Sequence, residues 1–322
     1  MADRFFRELT LRQLRALAAV QKHKSVTTAA RHLHLTQPAV TLQIRNLQAL
    51  SGLPLIQRTG DGMLLTDAGR EVLALSERIE AAIASCEASL DMIAGRTAGS
   101  VSIGAVSTAK YFVPFVISAF QQAHPNIEIK LSVGNRQDIS KALRGYDLDI
   151  AIMGRPPLDI PMNVSLIGNH PHVIIAPTDH PLASKSRMTL ADLANEKFLM
   201  REPGSGTRGL TEQLFETGRI RPPIGMEMSS NETIKQAVIA GLGIAFISAH
   251  TVATELDERR LVTLNVDGLP VIRQWFVLSR KDKVLLPPAQ AMLDFVSSKG
   301  ATFLPRTQRR IRLTRTSKRD KK

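Results

Sequence analysis

The sequence lacks the features of secreted and membrane-spanning proteins. Cys86 is the single cysteine of the 322-residue chain, which excludes an intramolecular disulfide framework and is typical of a reducing cytosol. No apolar run reaches the roughly 20 residues that a membrane-spanning helix needs. The N-terminus, MADRFFRELTLRQLRAL, has no uninterrupted apolar stretch of the signal-peptide kind. We therefore expect a cytoplasmic protein that does not interact with membranes.

Recognisable catalytic and metal-binding patterns are also missing. The eight histidines show no metal-ligand spacing. The pair His32 and His34 is interpreted as helix surface, and the pair His170 and His172 as a strand edge. No serine–histidine–aspartate order and no pair of carboxylates stands out. We therefore expect a protein that is not an enzyme and needs no metal or cofactor.

Positive charge is concentrated at the two ends of the chain. Residues 1–66 hold nine basic and three acidic residues, and residues 305–322 hold nine basic and one acidic. The intervening 67–304 are nearly balanced, with 24 basic and 25 acidic residues. Two basic ends on a near-neutral body predict a polyanionic partner. The C-terminal run is either only a solvated, disordered extension or also a source of non-specific phosphate contacts.

The first 66 residues predict a winged helix-turn-helix. Apolar residues recur at helical spacing in three short segments, and LIQRTGDGMLLT then places a Gly-Asp-Gly turn between two apolar ends, which is typical of a β-hairpin. Three short helices followed by a hairpin form a DNA-binding arrangement in which the third helix enters the major groove. The three helical segments are LRQLRALAAV (11–20), SVTTAARHLHL (25–35) and the segment that follows Leu35.

The third helix carries two different faces. Thr36 is placed to cap its start, and Pro38 fits the first turn, where a missing N–H costs nothing. An apolar stripe faces the core and consists of Val40, Ile44 and Leu47. A polar stripe lies beside it and consists of Gln37, Thr41 and Arg45. Folding requires only the first stripe, so the second is interpreted as a surface that contacts a partner.

A long helix is expected from Asp67 to Ala94, ended by Gly95. Its apolar residues step by three or four, as in a heptad seam, which predicts pairing with a second copy of the chain. Packing within a single-chain core is the alternative. The seam residues are Val72, Leu75, Ile79, Ile83, Cys86, Leu90 and Ile93.

Beyond Gly99, strand-like and helix-like segments alternate, which predicts a mainly parallel α/β sheet. Two similar series of such segments indicate two lobes with a ligand cleft between them. The predicted divisions are a DNA-binding domain (1–66), a linker helix (67–97), a first lobe (98–170 and 269–304), a second lobe (171–268) and a basic tail (305–322).

Several motifs resemble those of the LysR-type transcriptional regulators. They are AARxLxLTQPAV, QIxxL, LIQRT and LTDAG within residues 29–69, and the resemblance extends over the whole chain. It implies a winged helix-turn-helix, a long linker helix and a two-lobed effector domain similar to periplasmic binding proteins. It also implies that DNA is contacted by Thr36, Gln37, Pro38, Thr41, Arg45 and, in the wing, Arg58. Leu42 departs from relatives that have a polar or basic residue there, which leaves only an apolar contact to a thymine methyl group.

Two phrases of the predicted effector domain resemble the RuBisCO operon regulators, NRQDISKALRGYDLDIAIMGRPP and MREPGSGTR. The resemblance implies a dimer of dimers that binds and bends promoter DNA and acts on RNA polymerase. The implied effector is a small anion: ribulose bisphosphate, another Calvin-cycle phosphate or NADPH. A regulator of another operon, with a carboxylate or amino-acid effector, is the alternative.

The segment GSGTRG (204–209) matches the pattern GxGxxG, and Glu227 lies about twenty residues further on, as in a dinucleotide-binding fingerprint. Its place in the second lobe, after Pro203, argues against a dinucleotide-dependent enzyme. A loop that needs glycine for its turn is a second interpretation. We favour a third, an anion site at a helix N-terminus formed by Gly204, Ser205, Gly206, Thr207 and Arg208.

Further effector-binding candidates follow predicted strands or begin helices. Ser107 and Thr108 follow VSIGAV, where the resemblance implies effector contacts and simple helix capping is the alternative. Arg155 follows LDIAIMG, and Asn231 begins a helix. Arg136 and Arg201 are additional cations that suit a phosphate or carboxylate. A solute-binding protein with the same two lobes is disfavoured, because it would have a signal peptide and no helix-turn-helix.

Overall fold

A computed structural model describes residues 7–95 and 98–306. The chain divides into two compact units, and the division falls between Ala88 and Ser89, within one long helix. The predicted basic tail covers residues 305–322, of which 307–322 lie outside the described part of the chain. Within the described ranges, no helix is long and apolar enough to cross a membrane.

The first unit is a winged helix-turn-helix. Each of its three short helices begins after a residue whose side-chain hydroxyl accepts a hydrogen bond from a backbone N–H of the first turn. The three capping residues are Thr10, Ser25 and Thr36. The buried stripe on the third helix is the predicted one, so its packing against the first two helices is confirmed. The elements are α1 (Leu11–His23), α2 (Val26–His32), α3 (Gln37–Ser51), β1 (Ile56–Thr59) and β2 (Gly62–Leu65).

The hairpin of β1 and β2 is held by the Gln48 side chain of α3 and by a close backbone approach to Lys24 after α1. The amide oxygen of Gln48 accepts hydrogen bonds from the N–H groups of Leu55, at 2.9 Å, and Ile56, at 3.4 Å. Gly62 has φ +107°, and a Cβ added there would lie 2.6 Å from the carbonyl oxygen of Lys24. The position therefore requires glycine, both for its backbone conformation and for the close approach. The wing is held in a defined orientation relative to α3.

The long helix α4 (Asp67–Ile93) buries only its beginning. Val72 belongs to the core of the first unit, and Ile79 packs partly against it. Further along, Ile83, Leu90 and Ile93 are 39%, 59% and 83% exposed. A single-chain core therefore accounts for the start of the predicted seam and not for its end.

The second unit contains an α/β sheet and a smaller two-stranded sheet. A seven-stranded sheet has the order β10-β6-β11-β5-β3-β4, with β9 also paired to β6, and β7 pairs with β8. The strands of the second unit are β3 (Ser100–Val106), β4 (Glu128–Gly134), β5 (Ile150–Met153), β6 (Met162–Ala176), β7 (Phe198–Arg201), β8 (Ile224–Met228), β9 (Ala245–Ser248), β10 (Val262–Thr263) and β11 (Val271–Arg280). Its helices are α5 (Val113–Ala123), α6 (Arg136–Arg144), α7 (Gly206–Gly218), α8 (Asn231–Ile239), α9 (Ala253–Asp257) and α10 (Pro287–Lys299).

The expectation of a mainly parallel sheet is wrong for the larger sheet. Strand β3 pairs in parallel with β4 and β5, but β6 and β11 pair antiparallel to each other and to their other neighbours. Alternation of strands and helices predicted the parallel part correctly. It missed β11 and the first half of β6, whose mixed polar and apolar residues follow no helix-separated pattern.

Two groups of buried side chains define two lobes within the second unit. One core surrounds Trp275 and includes residues from β3, β5, α5 and α10. The second lobe has its own buried clusters, to which β9, α7 and α8 contribute. Strand β6 passes from one to the other, since Ile167 lies in the first core and Val173 in a second-lobe cluster. The antiparallel pair β6 and β11 therefore connects the lobes. The two-lobed α/β architecture is confirmed.

Candidate nucleic-acid interface and ligand cavity

The predicted DNA-contacting residues lie on one exposed face at the start of α3. Thr36, Gln37, Pro38, Thr41 and Arg45 are all exposed, beside the buried stripe. The hydroxyl of Thr41 donates to the carbonyl oxygen of Gln37 at 2.9 Å, and the hydroxyl of Thr27 donates to Oε1 of Gln37 at 3.1 Å. The second bond holds the amide oxygen of Gln37 and leaves its NH₂ group as a donor.

Two further side chains extend this exposed face. Arg58 is exposed on β1, opposite Met63 in the hairpin register. Leu42 is 52% exposed on α3, which keeps an apolar contact available there. One helix face and one hairpin strand thus present amide, hydroxyl and guanidinium groups, the types that contact base edges and phosphates.

A cavity of about 260 Å³ lies between the two lobes of the second unit. It is reached by the ends of β3 and β5, the starts of α6 and α7, and the crossing strands β6 and β11. Strands β3, β4 and β5 are parallel, so their carboxyl ends meet at one edge, where ligands bind in such sheets. Eight predicted residues line the cavity: Ser107, Thr108, Arg136, Arg155, Gly204, Ser205, Gly206 and Thr207.

The segment GSGTRG forms the turn into α7. Ser205 is the residue before the helix, its hydroxyl makes no capping bond, and both Ser205 and Thr207 are buried. Gly204 has φ +86°, and an added Cβ would lie 2.5 Å from Oε1 of Gln137 on α6. The glycine therefore allows a close approach of the two lobes, while the first N–H groups of α7 face the cavity. Both the turn and the anion-site interpretations fit this geometry.

Neither Ser107 nor Thr108 acts as a helix cap. The segment after them is a short 3₁₀ turn, Ala109–Tyr111, and the Thr108 side chain makes no capping hydrogen bond. The hydroxyl of Ser107 accepts a hydrogen bond from Nη2 of Arg201 at 3.3 Å. The alternative of simple helix capping therefore does not hold, and both residues line the cavity.

Three arginines of the cavity wall lack anionic partners. Among the described residues, Arg136, Arg155 and Arg273 form no ion pair and no side-chain hydrogen bond. Burial and the neighbouring charge of Arg155 lower the pKa of Arg136, whose Nε is buried without a partner. A Cβ added to Gly206 would lie 3.8 Å from Cδ of Arg136, which places this cation at the start of α7. Unpaired guanidinium groups beside a helix N-terminus form a site suited to an anion.

Arg208 does not line the cavity, contrary to the prediction. Its Nε donates to Oε1 of Glu212 at 2.8 Å, its Nη1 donates to the carbonyl oxygen of Arg201 at 3.0 Å, and it pairs with Glu227. The pKa of Arg208 is raised by its bond to Glu212 and then by that to Glu227. Glu227 is the acidic residue that a dinucleotide fingerprint would use to bind a ribose, and its carboxylate is instead paired with Arg208.

Asn231 and Arg201 also lie behind the cavity wall. Asn231 is 1% exposed and accepts a hydrogen bond from Arg201, and neither residue lines the cavity. Arg201 is 2% exposed and donates from Nε to Oε2 of Glu202 at 2.7 Å. These two predicted effector-binding residues therefore lie outside the cavity lining. They support Ser107 from behind.

Sequence reasoning missed several cavity residues and misplaced two of them. His170 and His172 line the cavity and are 4% and 1% exposed. They are not at a strand edge, because β6 is paired on both sides: His172 lies opposite Val271 of β11 and Ser248 of β9. The register of β6 and β11 pairs Arg273 with His170, which puts both histidines and Arg273 on one face of the sheet. The other missed lining residues are Val106, Asn135, Met153, Gly154, Gly209, Leu210 and Gln213.

The histidines below the cavity are neutral and connected to one another. His170 Nε2 lies 2.8 Å from the Ser248 hydroxyl, and the His170 ring stacks on Trp275 at 3.8 Å between centroids. Trp275 Nε1 donates to Nδ1 of His250 at 3.1 Å. Burial lowers the pKa of His172 to about 3 and that of His250 to about 4, and that of His170 is lowered well below its ordinary value. The cavity therefore combines a cationic wall with an uncharged floor.

Comparison with known proteins agrees with this arrangement. Residues 11–70 match the bacterial regulatory helix-turn-helix protein family of the lysR type, and residues 94–301 match the LysR substrate binding domain. The chain is 49% identical over 298 residues to the HTH-type transcriptional regulator CbbR of Xanthobacter flavus, covering 92% of this chain and 90% of that protein. It is 43% identical over 293 residues to the RuBisCO operon transcriptional regulator of Allochromatium vinosum, covering 91% and 97%.

Solved structures share both units of the fold. The CcmR regulatory domain of Synechocystis PCC6803, in complex with 2-PG, is 36% identical with a TM-score of 0.60, covering 62% of this chain and 96% of that domain. Full-length CbnR complexed with its target DNA has a TM-score of 0.61 and covers 90% of this chain and 99% of that one. At 22% identity it supports the fold alone. The winged helix-turn-helix, the two-lobed domain and the matched relatives show that the chain belongs to the LysR family of bacterial transcriptional regulators.

Proposed function

We propose that this regulator activates carbon-fixation genes, those of the RuBisCO operon and the Calvin cycle, when a small phosphorylated anion binds between its lobes. The names of the relatives that match over nine-tenths of the chain support the target genes. The observation that carries the effector proposal is the set of three cavity arginines with no anionic partner among the described residues. Such a site gains most from a ligand with two or more negative charges.

The proposed effectors are ribulose bisphosphate, another Calvin-cycle phosphate or NADPH. A cavity of about 260 Å³ favours a sugar phosphate or phosphoglycerate over the larger dinucleotide. In this proposal Arg136, Arg155 and the start of α7 bind the anion, with Ser107, Thr108, Ser205 and Thr207 as further donors. Because the first two belong to one lobe and α7 to the other, a bound anion stabilises the closed arrangement of lobes.

The proposed DNA contacts are those of α3 and the wing. Base edges in the major groove would be read by Gln37, Thr41 and Arg45. Thr36 and Pro38 would lie close to the DNA backbone. Each bidentate base contact discriminates by about 1–3 kcal/mol. Arg58 would bind phosphate, which positions the protein without reading sequence.

Assembly is proposed to use the exposed end of α4. Ile83, Leu90 and Ile93 leave an apolar stripe exposed, which pairing with the same helix of a second copy would cover. Two such dimers would bind and bend the promoter, in the cytoplasm, and lobe closure would change the bend and the contact with RNA polymerase. This chain of effects is the mechanism that we propose for activation.

Sequencing of genomic fragments retained by the full-length protein tests the proposal directly. We expect enrichment of fragments upstream of RuBisCO and Calvin-cycle genes, and a change in mobility and bend of those complexes when ribulose 1,5-bisphosphate or 3-phosphoglycerate is added. Arg45→Ala should lose the enrichment. Arg78→Ala, which removes an exposed arginine from α4, is the matched control and should keep it. Enrichment of unrelated promoters, with a response only to unphosphorylated carboxylates or amino acids, would reject the carbon-fixation assignment.

A further inference from the structure

We infer that the ligand of the cavity carries, besides its anionic group, a hydroxyl that donates a hydrogen bond to Nε2 of His172. The inference rests on the proposed function, because it takes an anion in this cavity as given. It adds a second requirement on the ligand and assigns it to a residue on β6. The ligand class is thus a hydroxylated phosphate or carboxylate.

The hydrogen bonds of His172 determine which of its ring nitrogens carries the proton. Nδ1 lies 3.1 Å from the carbonyl oxygen of His170. A carbonyl oxygen only accepts, so Nδ1 must carry the proton and donate it. In a neutral imidazole the other nitrogen, Nε2, then has a lone pair and no hydrogen. Nε2 therefore acts as an acceptor and cannot change role by rotation, as a hydroxyl would.

The surroundings keep the His172 ring neutral. Burial is the main cause that lowers its pKa to about 3, with smaller lowering effects from His250 and Arg273, against the raising effect of the bond to His170. The titratable and charged groups around it are His170 on the same strand, His250 after β9, and Arg273 on β11, with Arg136 and Arg155 across the cavity. None of these is a carboxylate that would stabilise an imidazolium. At neutral pH the ring cannot donate from Nε2.

Within residues 7–95 and 98–306 the His172 ring, which lines the cavity, forms its hydrogen bond through Nδ1, and Nε2 forms none. The groups opposite it mostly donate: guanidinium groups and the first N–H groups of α7. A ligand that presents only acceptors would satisfy these donors and leave Nε2 desolvated and unpaired. That arrangement costs the desolvation of a polar group, which corresponds to a loss of about 10- to 100-fold in affinity. A ligand hydroxyl directed at β6 removes the loss.

Two matched pairs of probes test the inference with the full-length protein by titration calorimetry at pH 7.5. The first pair is 3-phosphoglycerate and 3-(phosphonooxy)propionate, the phosphate ester of 3-hydroxypropionate. The two have the same length and charge and differ in one hydroxyl. The second is ribulose 1,5-bisphosphate and pentane-1,5-diol bisphosphate, which lacks the hydroxyls and the carbonyl. We expect at least one hydroxylated probe to bind about tenfold or more tightly than its partner. Equal affinities within each pair would overturn the inference and leave the anion site standing.

Variants connect the preference to His172 itself. His172→Phe removes the acceptor and should reduce the affinity ratio of the preferred pair to about one, whereas His172→Gln, whose amide oxygen can accept near the position of Nε2, should restore part of it. A ratio that persists in His172→Phe would overturn the inference. Because the test is a ratio within one protein, partial loss of stability in a variant does not imitate the result, and the wild-type ratio stands even if a variant fails to fold. Binding of none of the four probes would reject both this inference and the phosphorylated effector of the proposed function.

Discussion

Two groups of arginines in the second unit lie close to the same loop and differ in their surroundings. Arg201 and Arg208, on either side of GSG, are bonded to the carboxylates of Glu202, Glu212 and Glu227. Arg136, Arg155 and Arg273 face the cavity, and no carboxylate in the described part of the chain pairs with them. The first group holds the second lobe together. The second group keeps its charge available for a ligand.

The difference shows that a cation near a glycine-rich loop is not by itself evidence of a ligand site. Arg208 stands in a motif that suggests phosphate binding, yet Glu212, one helical turn further, and Glu227 on β8 neutralise it. Arg273 stands in no motif, and the sheet register alone brings it opposite His170 at the cavity. Whether an arginine is available depends on its acidic neighbours in space.

Acidification should have the largest effect on the free energy of unfolding, because it protonates the buried histidines of the neutral cavity floor, unlike the arginines of the charged wall. His170, His172 and His250 have native pKa values below their ordinary 6.5, so below pH 6.5 the unfolded chain binds more protons than the native one. The free energy of unfolding is therefore fully retained above pH 6.5 and falls as the pH drops towards 4, by about 1.4 kcal/mol per histidine per pH unit. Urea unfolding at pH 7.5 and 5.5 measures it. A loss well under 1 kcal/mol would contradict the neutral floor.

Arg201→Ala should be the most destabilising of the arginine substitutions. It removes a 2% exposed guanidinium and leaves Glu202 and Asn231 without their partner, which costs about 3 kcal/mol. Urea unfolding of the full chain provides the measurement. Arg187→Ala is the control, because Arg187 lies in solvent and its pair with Asp267 should contribute little to the free energy of unfolding. Equal losses in the two variants would remove the structural role of Arg201.

Arg136→Ala and Arg155→Ala should weaken anion binding without weakening the fold. Each removes charge-assisted hydrogen bonds to the ligand, which corresponds to about 10- to 100-fold in affinity for the tightest-binding phosphate. The free energy of unfolding should be unchanged for Arg155→Ala. It should rise slightly for Arg136→Ala, since a half-buried unpaired charge is removed. Calorimetric titration and urea unfolding of the same preparations separate the two effects. Unchanged affinity in both variants would place the anion elsewhere.

Arg208→Ala should have the smallest effect. Its partners Glu212 and Glu227 are 52% and 49% exposed, so the ion pairs contribute less than about 1 kcal/mol to the free energy of unfolding. The phosphate affinity should remain within about twofold of wild type, since the side chain does not line the cavity. The titration used for the cavity arginines checks this. A tenfold loss would show that Arg208 leaves its carboxylates when ligand binds.

Local features of the fold were predictable because their causes lie within a few residues. The cap at Thr36, the stripe of Val40, Ile44 and Leu47 and the hairpin between β1 and β2 follow from helical spacing and turn chemistry. The exposed polar face of α3 was predictable because folding requires only the apolar stripe of that helix. The antiparallel β6–β11 pair was not predictable in this way, because its residues are about a hundred positions apart and neither segment shows the alternation expected of a strand.

By itself, the sequence determined the winged helix-turn-helix, the long helix, the family and most of the loop residues at the strand ends. These depend on periodicity, capping and residues adjacent along the chain. Only the tertiary structure decided which arginines are free, which histidine nitrogen accepts, and that Arg208 and Asn231 face away from the cavity. Those outcomes depend on partners brought together from distant segments. Pairing, burial and tautomer are properties of that assembled neighbourhood and have no counterpart in the local sequence.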